Sequence, residues 1–310
     1  MKLVAVVGPT ASGKSALALR LAEVFGGEII SCDSTAVYRG IDIGTDKLPA
    51  GERRGIPHHL VDVVEAAGTY SAAQYAASAA EAAREIAGRQ RLPILVGGTG
   101  LYYRALVRGL FPGPARDDAL RARLETVATR RGTGALHRWL TRVDPESARR
   151  IQPRDRKRLI RALEVYLLTG RALTDHFAET TSPIAGASVL TLGVSMPRPA
   201  LRERVAARVD AQFARGVVEE VRRLLAGGVP ATAHAFSGLV YRQVIELLHG
   251  VRDEAATREL IVRENMRYAR RQAIWFRKEP DVRWIAGPGE SEAAASEAED
   301  LVREFLRLDR

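Results

Sequence analysis

Gly8-Pro9-Thr10-Ala11-Ser12-Gly13-Lys14-Ser15 follows a short apolar run, Leu3 to Val7, and leads into a helical pattern whose apolar stripe is Ala16, Leu17, Leu19, Leu21, Ala22 and Val24. Strand, glycine-rich turn and helix in this order, with Gly-Lys-Ser at the end of the turn, read as a P-loop. Sharp turning at Gly8 and Gly13 points successive backbone N–H groups into a concavity, and the positive end of the following helix is added to it. Lys14 supplies a mobile cation, and the Ser15 hydroxyl faces a Mg²⁺ ion. Residues 8–15 are therefore expected to cradle a diphosphate. The motif specifies phosphate and leaves the reaction open.

Composition narrows the class. At 310 residues and 46% hydrophobic, the chain has enough apolar material for a large core in one or two domains. No apolar run is long enough to span a bilayer, and residues 1–7 do not form a signal peptide, so a cytosolic, membrane-free protein is expected. Cys32 is the single cysteine, which excludes an internal disulfide and a cysteine-based zinc cluster; in the apolar run Glu28-Ile29-Ile30-Ser31-Cys32 it reads as packed core. The formal net charge is +10, and only Lys2, Lys14, Lys47, Lys157 and Lys278 are lysine. That excess of arginine makes a polyanionic partner plausible.

Three apolar runs end in polar or glycine-rich residues: Leu3 to Val7 in the P-loop, Ile29 to Cys32 in Asp33-Ser34, and Pro93 to Val96 in Gly97-Gly98-Thr99-Gly100. Helical stretches lie between them, such as Ser71 to Ala87. This alternation predicts an α/β fold, a P-loop-type parallel sheet flanked by helices, whose ligands sit at the carboxyl ends of the strands. Thr10, Asp33 and Thr99 should then converge on one crevice, although Asp33 after a strand also suits a helix N-cap. Pro112-Gly113-Pro114 marks a break. From 115 to 186 the pattern is helical, with candidates at Asp117 to Arg130, Gly134 to Arg142 and Asp155 to Thr169. Ser188 to Val194 reads as a strand returning to the sheet. The expected organisation is a core of residues 1–114 and 187–310 with a mostly helical insertion at 115–186. Further helices are expected from Arg198 to Ala226 and from Glu254 to Phe276, and Gly289 to Asp300 reads as a low-complexity surface segment.

Taken together, the motifs resemble one family, the tRNA dimethylallyltransferases. The matching segments are residues 8–15; Ser31-Cys32-Asp33-Ser34 with Tyr38-Arg39-Gly40-Ile41-Asp42-Ile43-Gly44-Thr45; Pro57-His58-His59-Leu60; Gly97-Gly98-Thr99 with Leu101-Tyr102; Arg158 to Glu164; Tyr241-Arg242-Gln243; and Arg271-Gln272 with Trp275. The resemblance implies transfer of a dimethylallyl group from dimethylallyl diphosphate to the exocyclic N6 amine of the adenine immediately 3′ of a tRNA anticodon, position 37, with Mg²⁺ as cofactor and a monomeric enzyme. It implies Asp33 as general base, Thr10 on the bridging oxygen of the diphosphate, Thr99 holding the diphosphate or the amine, and Arg208, in preference to Arg204, beside the diphosphate. An adenine stacked in an anticodon loop must be extruded to react. The implied contacts to the anticodon stem-loop are Asp33, Ser34, Thr35, Ala36, Thr99, Arg121, Lys157, Arg158, Leu159, Ile160, Arg161, Tyr241, Arg242, Arg270, Arg271, Gln272, Trp275 and Arg277. The basic runs also fit solvated helix faces, and Trp275 also fits a core.

The chain departs from the family pattern at Cys32, where Val is common, at Val240, where Gly usually precedes Tyr-Arg-Gln, and at Ser237-Gly238 in place of Arg-Cys. Two other classes compete. A small-molecule kinase of the shikimate or nucleoside type would use Asp33 toward a hydroxyl, and a nucleotide-gated RNA-binding protein would do no chemistry. The best Walker-B candidate, Leu60-Val61-Asp62, is weak, and the basic helical block is unexplained by a kinase.

Overall fold

The structure is a computed structural model and describes residues 1–308. Six strands, β1 (Lys2–Val7), β2 (Gly27–Cys32), β3 (His58–His59), β4 (Leu92–Gly97), β5 (Ser188–Ser195) and β6 (Val282–Ala286), form one sheet in the order β3-β2-β4-β1-β5-β6. Every pairing is parallel. Such a sheet requires both faces to be covered, and β1 alternates accordingly. Leu3, Ala5 and Val7 join one apolar cluster with Ile30, Leu95 and residues of α2 (Ala72–Gly88) and α3 (Gly100–Val107). Val4 and Val6 join another, with α1 (Lys14–Phe25) and α13 (Glu292–Arg307). The register pairs Val7 with Gly97 and Gly97 with Cys32. The loops after these three strands therefore start side by side at one edge of the sheet.

The chain divides into two compact units, residues 1–107 with 183–310, and residues 108–182. The second consists of helices α4 (Asp118–Arg131), α5 (Thr133–Val143), α6 (Pro145–Arg150), α7 (Arg156–Thr169) and α8 (Leu173–Phe177) around their own core. Its start precedes Pro112-Gly113-Pro114 because Phe111 packs edge-on against Phe177 and belongs to that core. The first unit is completed by α9 (Arg198–Ala214), α10 (Val217–Ala226), α11 (Tyr241–Leu248) and α12 (Glu254–Phe276).

Two local expectations change, and one strand, β6, is additional to those expected. The helix expected over 198–226 is two helices, because Gly216 adopts φ 89° and ends the register at 215. Gly289 to Asp300 is not a surface segment throughout. Ser291 caps α13, and Ala294, Ala295 and Ala298 are buried with α1, small side chains that permit close helix packing. Strand β6 lies at the sheet edge, five residues of which Arg283, Trp284 and Ala286 are exposed and only Ile285 is buried.

Candidate active site

The P-loop forms because β1 must turn within van der Waals reach of β5. Gly8 has φ 141°, and a Cβ there would stand 2.5 Å from the Val194 carbonyl oxygen. Gly13, at φ 87°, opens α1 in a left-handed conformation that other residues rarely adopt. Between them the Ser12 hydroxyl donates to the Pro9 carbonyl at 2.9 Å, and the Lys14 ammonium donates to the same oxygen. Lys14 and Ser15 line a cavity of about 270 Å³ together with Thr10, Asp33, Arg208 and Tyr268.

A second cavity of about 260 Å³ shares Thr10, Asp33, Thr45, Arg208 and Tyr268 with the first and extends to Ser34, Thr35 and Arg271. Asp33 thus borders both chambers. Its Oδ1 accepts from the Thr35 N–H at 2.8 Å, the Thr35 hydroxyl at 2.6 Å and the Ala36 N–H at 3.3 Å. Capping this turn occupies one carboxylate oxygen, while Oδ2 has no hydrogen-bond partner among the described residues. The Thr99 hydroxyl accepts from the Ser34 N–H at 3.1 Å, which fixes the Asp33 loop against the end of β4.

Arg208 reaches the P-loop from α9. Its Nη1 donates to the Thr10 hydroxyl at 2.7 Å and its Nη2 to the Thr45 carbonyl at 3.3 Å, while Nε pairs with Asp46. Asp46 also accepts from Gln212 at 3.0 Å and Arg215 at 3.1 Å, so one carboxylate orients three side chains of the α9 segment. Arg204 takes another course, donating to the Ala11 carbonyl at 2.8 Å and pairing with Glu290, and it lines neither chamber.

Burial dominates the titration of the groups around the cradle, with neighbouring charges adding to it or opposing it. Burial, assisted by the Arg208 guanidinium, pushes the Lys14 ammonium down to about 7, with Asp33 opposing. Burial likewise pushes Arg208 down to about 10, against the pull of Asp33 and with Arg215 adding to the fall. Burial, then the Asp33 charge, pushes Tyr268 up to about 12, with its hydrogen bond to Thr99 opposing, so its hydroxyl stays a donor. An anion in the cradle reverses the balance at Lys14 by favouring the ammonium. Pyrophosphate binding at pH 8 should therefore take up close to one proton at Lys14, with affinity weakening as pH rises above about 7. Calorimetry in buffers of different ionisation enthalpy measures this, and an equal uptake in Lys14→Met would refute it.

Several expected RNA contacts are committed elsewhere. Gln272 is 5% exposed; its Oε1 accepts from the Thr10 N–H at 2.8 Å and its Nε2 donates to the Gly98 carbonyl at 3.0 Å, clamping the P-loop to the β4 loop. Trp275 packs against the core under the Arg104 guanidinium, 4.6 Å from the ring centroid, and is not a free stacking platform. Tyr241 is 1% exposed; its hydroxyl donates to Glu220 at 2.6 Å and accepts from the Gly44 N–H at 3.0 Å. Val240 has φ −95° and a buried side chain, so a β-branched residue fits without strain. Arg242, Arg270, Arg271 and Arg277 are exposed.

Within the helical unit, Leu159 and Ile160 are core residues. Arg121 bonds Glu164 through two nitrogens, both at 2.8 Å, and Arg161 bonds it at 2.6 Å. Lys157 and Arg158 are exposed. Sequence reasoning missed Asp46 and Tyr268. The signal for Tyr268 was its position three residues before Arg271 on one helix face; Asp46 carried none.

Cys32 is buried, and burial pushes its thiol up to about 12, which leaves it inert. His59 bonds Glu28 at 2.8 Å and His58 bonds the Ile56 carbonyl at 2.8 Å, both bracing the β3 edge. Asp62 pairs with Lys47 at 2.5 Å and lines neither chamber. Beside β1, β4 ends in Gly97-Gly98-Thr99 with no carboxylate where a motor ATPase carries one. No helix among the described residues is long and apolar enough to cross a membrane.

Known proteins resemble this chain in sequence and fold over most of its length. The family model described as IPP transferase matches residues 36–279. The tRNA dimethylallyltransferase of Solibacter usitatus is 47% identical over 309 residues, covering 99% of each chain. That of Streptomyces coelicolor is 45% identical, covering 92% of this chain and 90% of the relative. The full-length tRNA isopentenylpyrophosphate transferase of Bacillus halodurans superposes with a TM-score of 0.71 at 35% identity, covering 98% of this chain and 95% of that one. A eukaryotic dimethylallyltransferase, solved in snapshots of its action on tRNA, superposes with a TM-score of 0.81 at 25% identity, covering 98% of this chain and 79% of that one. With a family model spanning most of its length and full-length relatives near half identity, the chain belongs to the IPP transferase family, that of the tRNA dimethylallyltransferases.

Proposed function

We propose that this protein transfers the dimethylallyl group of dimethylallyl diphosphate to N6 of the adenine at position 37, 3′-adjacent to the anticodon of tRNA, and releases pyrophosphate. The observation that carries the reading is the pair of joined chambers with Asp33 at their junction. One is walled by phosphate-binding groups and the other is bordered by Arg271 and polar loop residues. The diphosphate occupies the P-loop chamber, and the extruded adenine enters from the other. The N6 lone pair attacks C1 of the dimethylallyl group as the C1–O bond to the diphosphate breaks, and Asp33 takes the proton from N6. Charge developing on the leaving diphosphate is met by Lys14, Arg208 and the P-loop N–H groups, donors fixed before the reaction begins. Thr10 is held toward the same point by Arg208 and Gln272.

The donor set suits Mg²⁺. Among the described residues no three His, Cys, Asp or Glu side chains are grouped to hold a metal, so the ion would take the Ser15 hydroxyl and oxygens of the diphosphate, the partly substrate-borne coordination that Mg²⁺ favours. It would neutralise charge on the leaving group. Exposed Lys157, Arg158, Arg242, Arg271 and Arg277 contact the RNA in this reading. In this reading the enzyme works as a monomer in the cytosol.

The test is nucleoside analysis of tRNA incubated with the enzyme, Mg²⁺ and dimethylallyl diphosphate. The expected product is N6-dimethylallyladenosine at position 37 with one pyrophosphate released. ATP consumption in step with modification, or turnover of a small hydroxyl substrate without the prenyl donor, would instead assign a kinase.

A further inference from the structure

Helix α12 separates two basic surfaces. Asn265, Tyr268 and Arg271 on one flank border the reaction chambers. On the opposite flank Arg263, Met266, Arg267, Arg270, Ile274 and Arg277 repeat at spacings of three and four, which places them on one helical face. With Arg198 and Arg202 of α9 and Trp284 of β6, they enclose a groove of about 820 Å³.

No Asp or Glu lines this groove. Arg267 pairs with Glu264 at 2.5 Å, whereas Arg198, Arg202, Arg263, Arg270 and Arg277 have no carboxylate partner among the described residues. Farther along the same α9 segment, by contrast, Arg204, Arg208 and Arg215 are all paired. Uncompensated guanidinium groups facing one cavity repel one another, and an anion placed among them gains from every one. The arginines from 263 to 277 span roughly 21 Å along the helix at 1.5 Å per residue. That reach exceeds a single phosphate or diphosphate and suits a chain of them. The floor is apolar, with Ile274 43% and Trp284 37% exposed, and so offers faces for unstacked bases below a rim that binds phosphates.

We propose that this groove holds the ribose–phosphate backbone of the substrate RNA beyond the nucleotide that enters the reaction chamber. The inference rests on the function proposed above and deepens it. Arg270 and Arg271 are adjacent in sequence and stand on opposite flanks of α12, so the helix is the ridge over which the RNA passes from chamber to groove.

The test is the salt dependence of tRNA binding in the triple variant Arg198→Gln, Arg202→Gln, Arg263→Gln, whose side chains are all exposed. The log–log slope should become shallower by about two units, at roughly 0.7–0.9 for each phosphate no longer neutralised. The pyrophosphate dissociation constant and the single-turnover rate at saturating tRNA should match wild type. An unchanged slope, with wild-type protein binding and prenylating the same tRNA, overturns the groove alone. Weakened pyrophosphate binding also overturns it, by assigning the arginines to the donor site. So does a poly-glutamate peptide whose binding needs these arginines while tRNA binding does not. A wild-type protein that neither binds nor prenylates tRNA overturns the proposed function instead.

Discussion

Replacing Asp33 by Asn is expected to lower the single-turnover rate of prenyl transfer by ~10²-fold or more, the usual scale for losing a general base, with little change in tRNA affinity or thermal stability. The prediction separates two roles that the structure superposes on one side chain. Oδ1 caps the turn through Thr35 and Ala36, and Asn caps nearly as well as Asp because its amide oxygen accepts the same bonds. A residue that only caps would therefore tolerate the change. Proton removal needs the second, unbonded oxygen to be basic, and the amide nitrogen that replaces it is not. Asp33→Ala is the complementary variant. It removes both roles and should cost about 1 kcal/mol of stability besides the rate. Near wild-type single-turnover rates in Asp33→Asn would reduce Asp33 to its structural role.

The parts of the site legible in the sequence were those written in contiguous residues. Residues 8–15 carry their own geometry, because glycines at the two turning points and a helix immediately behind them are local facts. The convergence of Thr10, Asp33 and Thr99 also followed, since three strands running the same way must end at one edge. What sequence could not apportion was charge. Lys157, Arg158 and Arg161 read as one basic run, yet Arg161 is bound to a buried Glu164 that also takes Arg121 from another helix, and only the fold brings those segments together. Tyr241 lines the second chamber, but its hydroxyl is bound between Gly44 and Glu220, partners remote in sequence that only the fold brings to it. Gln272 lies in a segment matched to RNA binding, but its amide is used up between two loops of the phosphate site. Asp46 had no local signal at all; its importance arises from three side chains of the α9 segment that converge on it.

Glu164→Ala is expected to destabilise the helical unit by about 3–5 kcal/mol, the usual cost of breaking a buried ion pair from one side. Glu164 is 0% exposed, and Arg121 and Arg161 are largely covered at 28% and 30%. Burial alone would raise its carboxyl, but the hydrogen bonds from Arg121, Arg161 and the Asp117 N–H outweigh it and hold Glu164 down to about 2, against 4.5 for the free group. A depressed carboxyl stabilises the fold above its unfolded value and loses that contribution as pH falls toward its folded one. Wild type should therefore carry roughly 3 kcal/mol from this group above about pH 5, at about 1.4 kcal/mol for each tenfold difference in proton affinity between the folded and unfolded chain, and shed it between about pH 4.5 and 2. Glu164→Ala should show a lower melting temperature at neutral pH and a flatter acid limb. Fast amide exchange should be confined to α4 and α7, while pyrophosphate binding by the P-loop unit stays intact. Equal melting temperatures for wild type and Glu164→Ala at pH 7 would mean that Arg121 and Arg161 are not bound to this carboxylate in solution and are available to RNA.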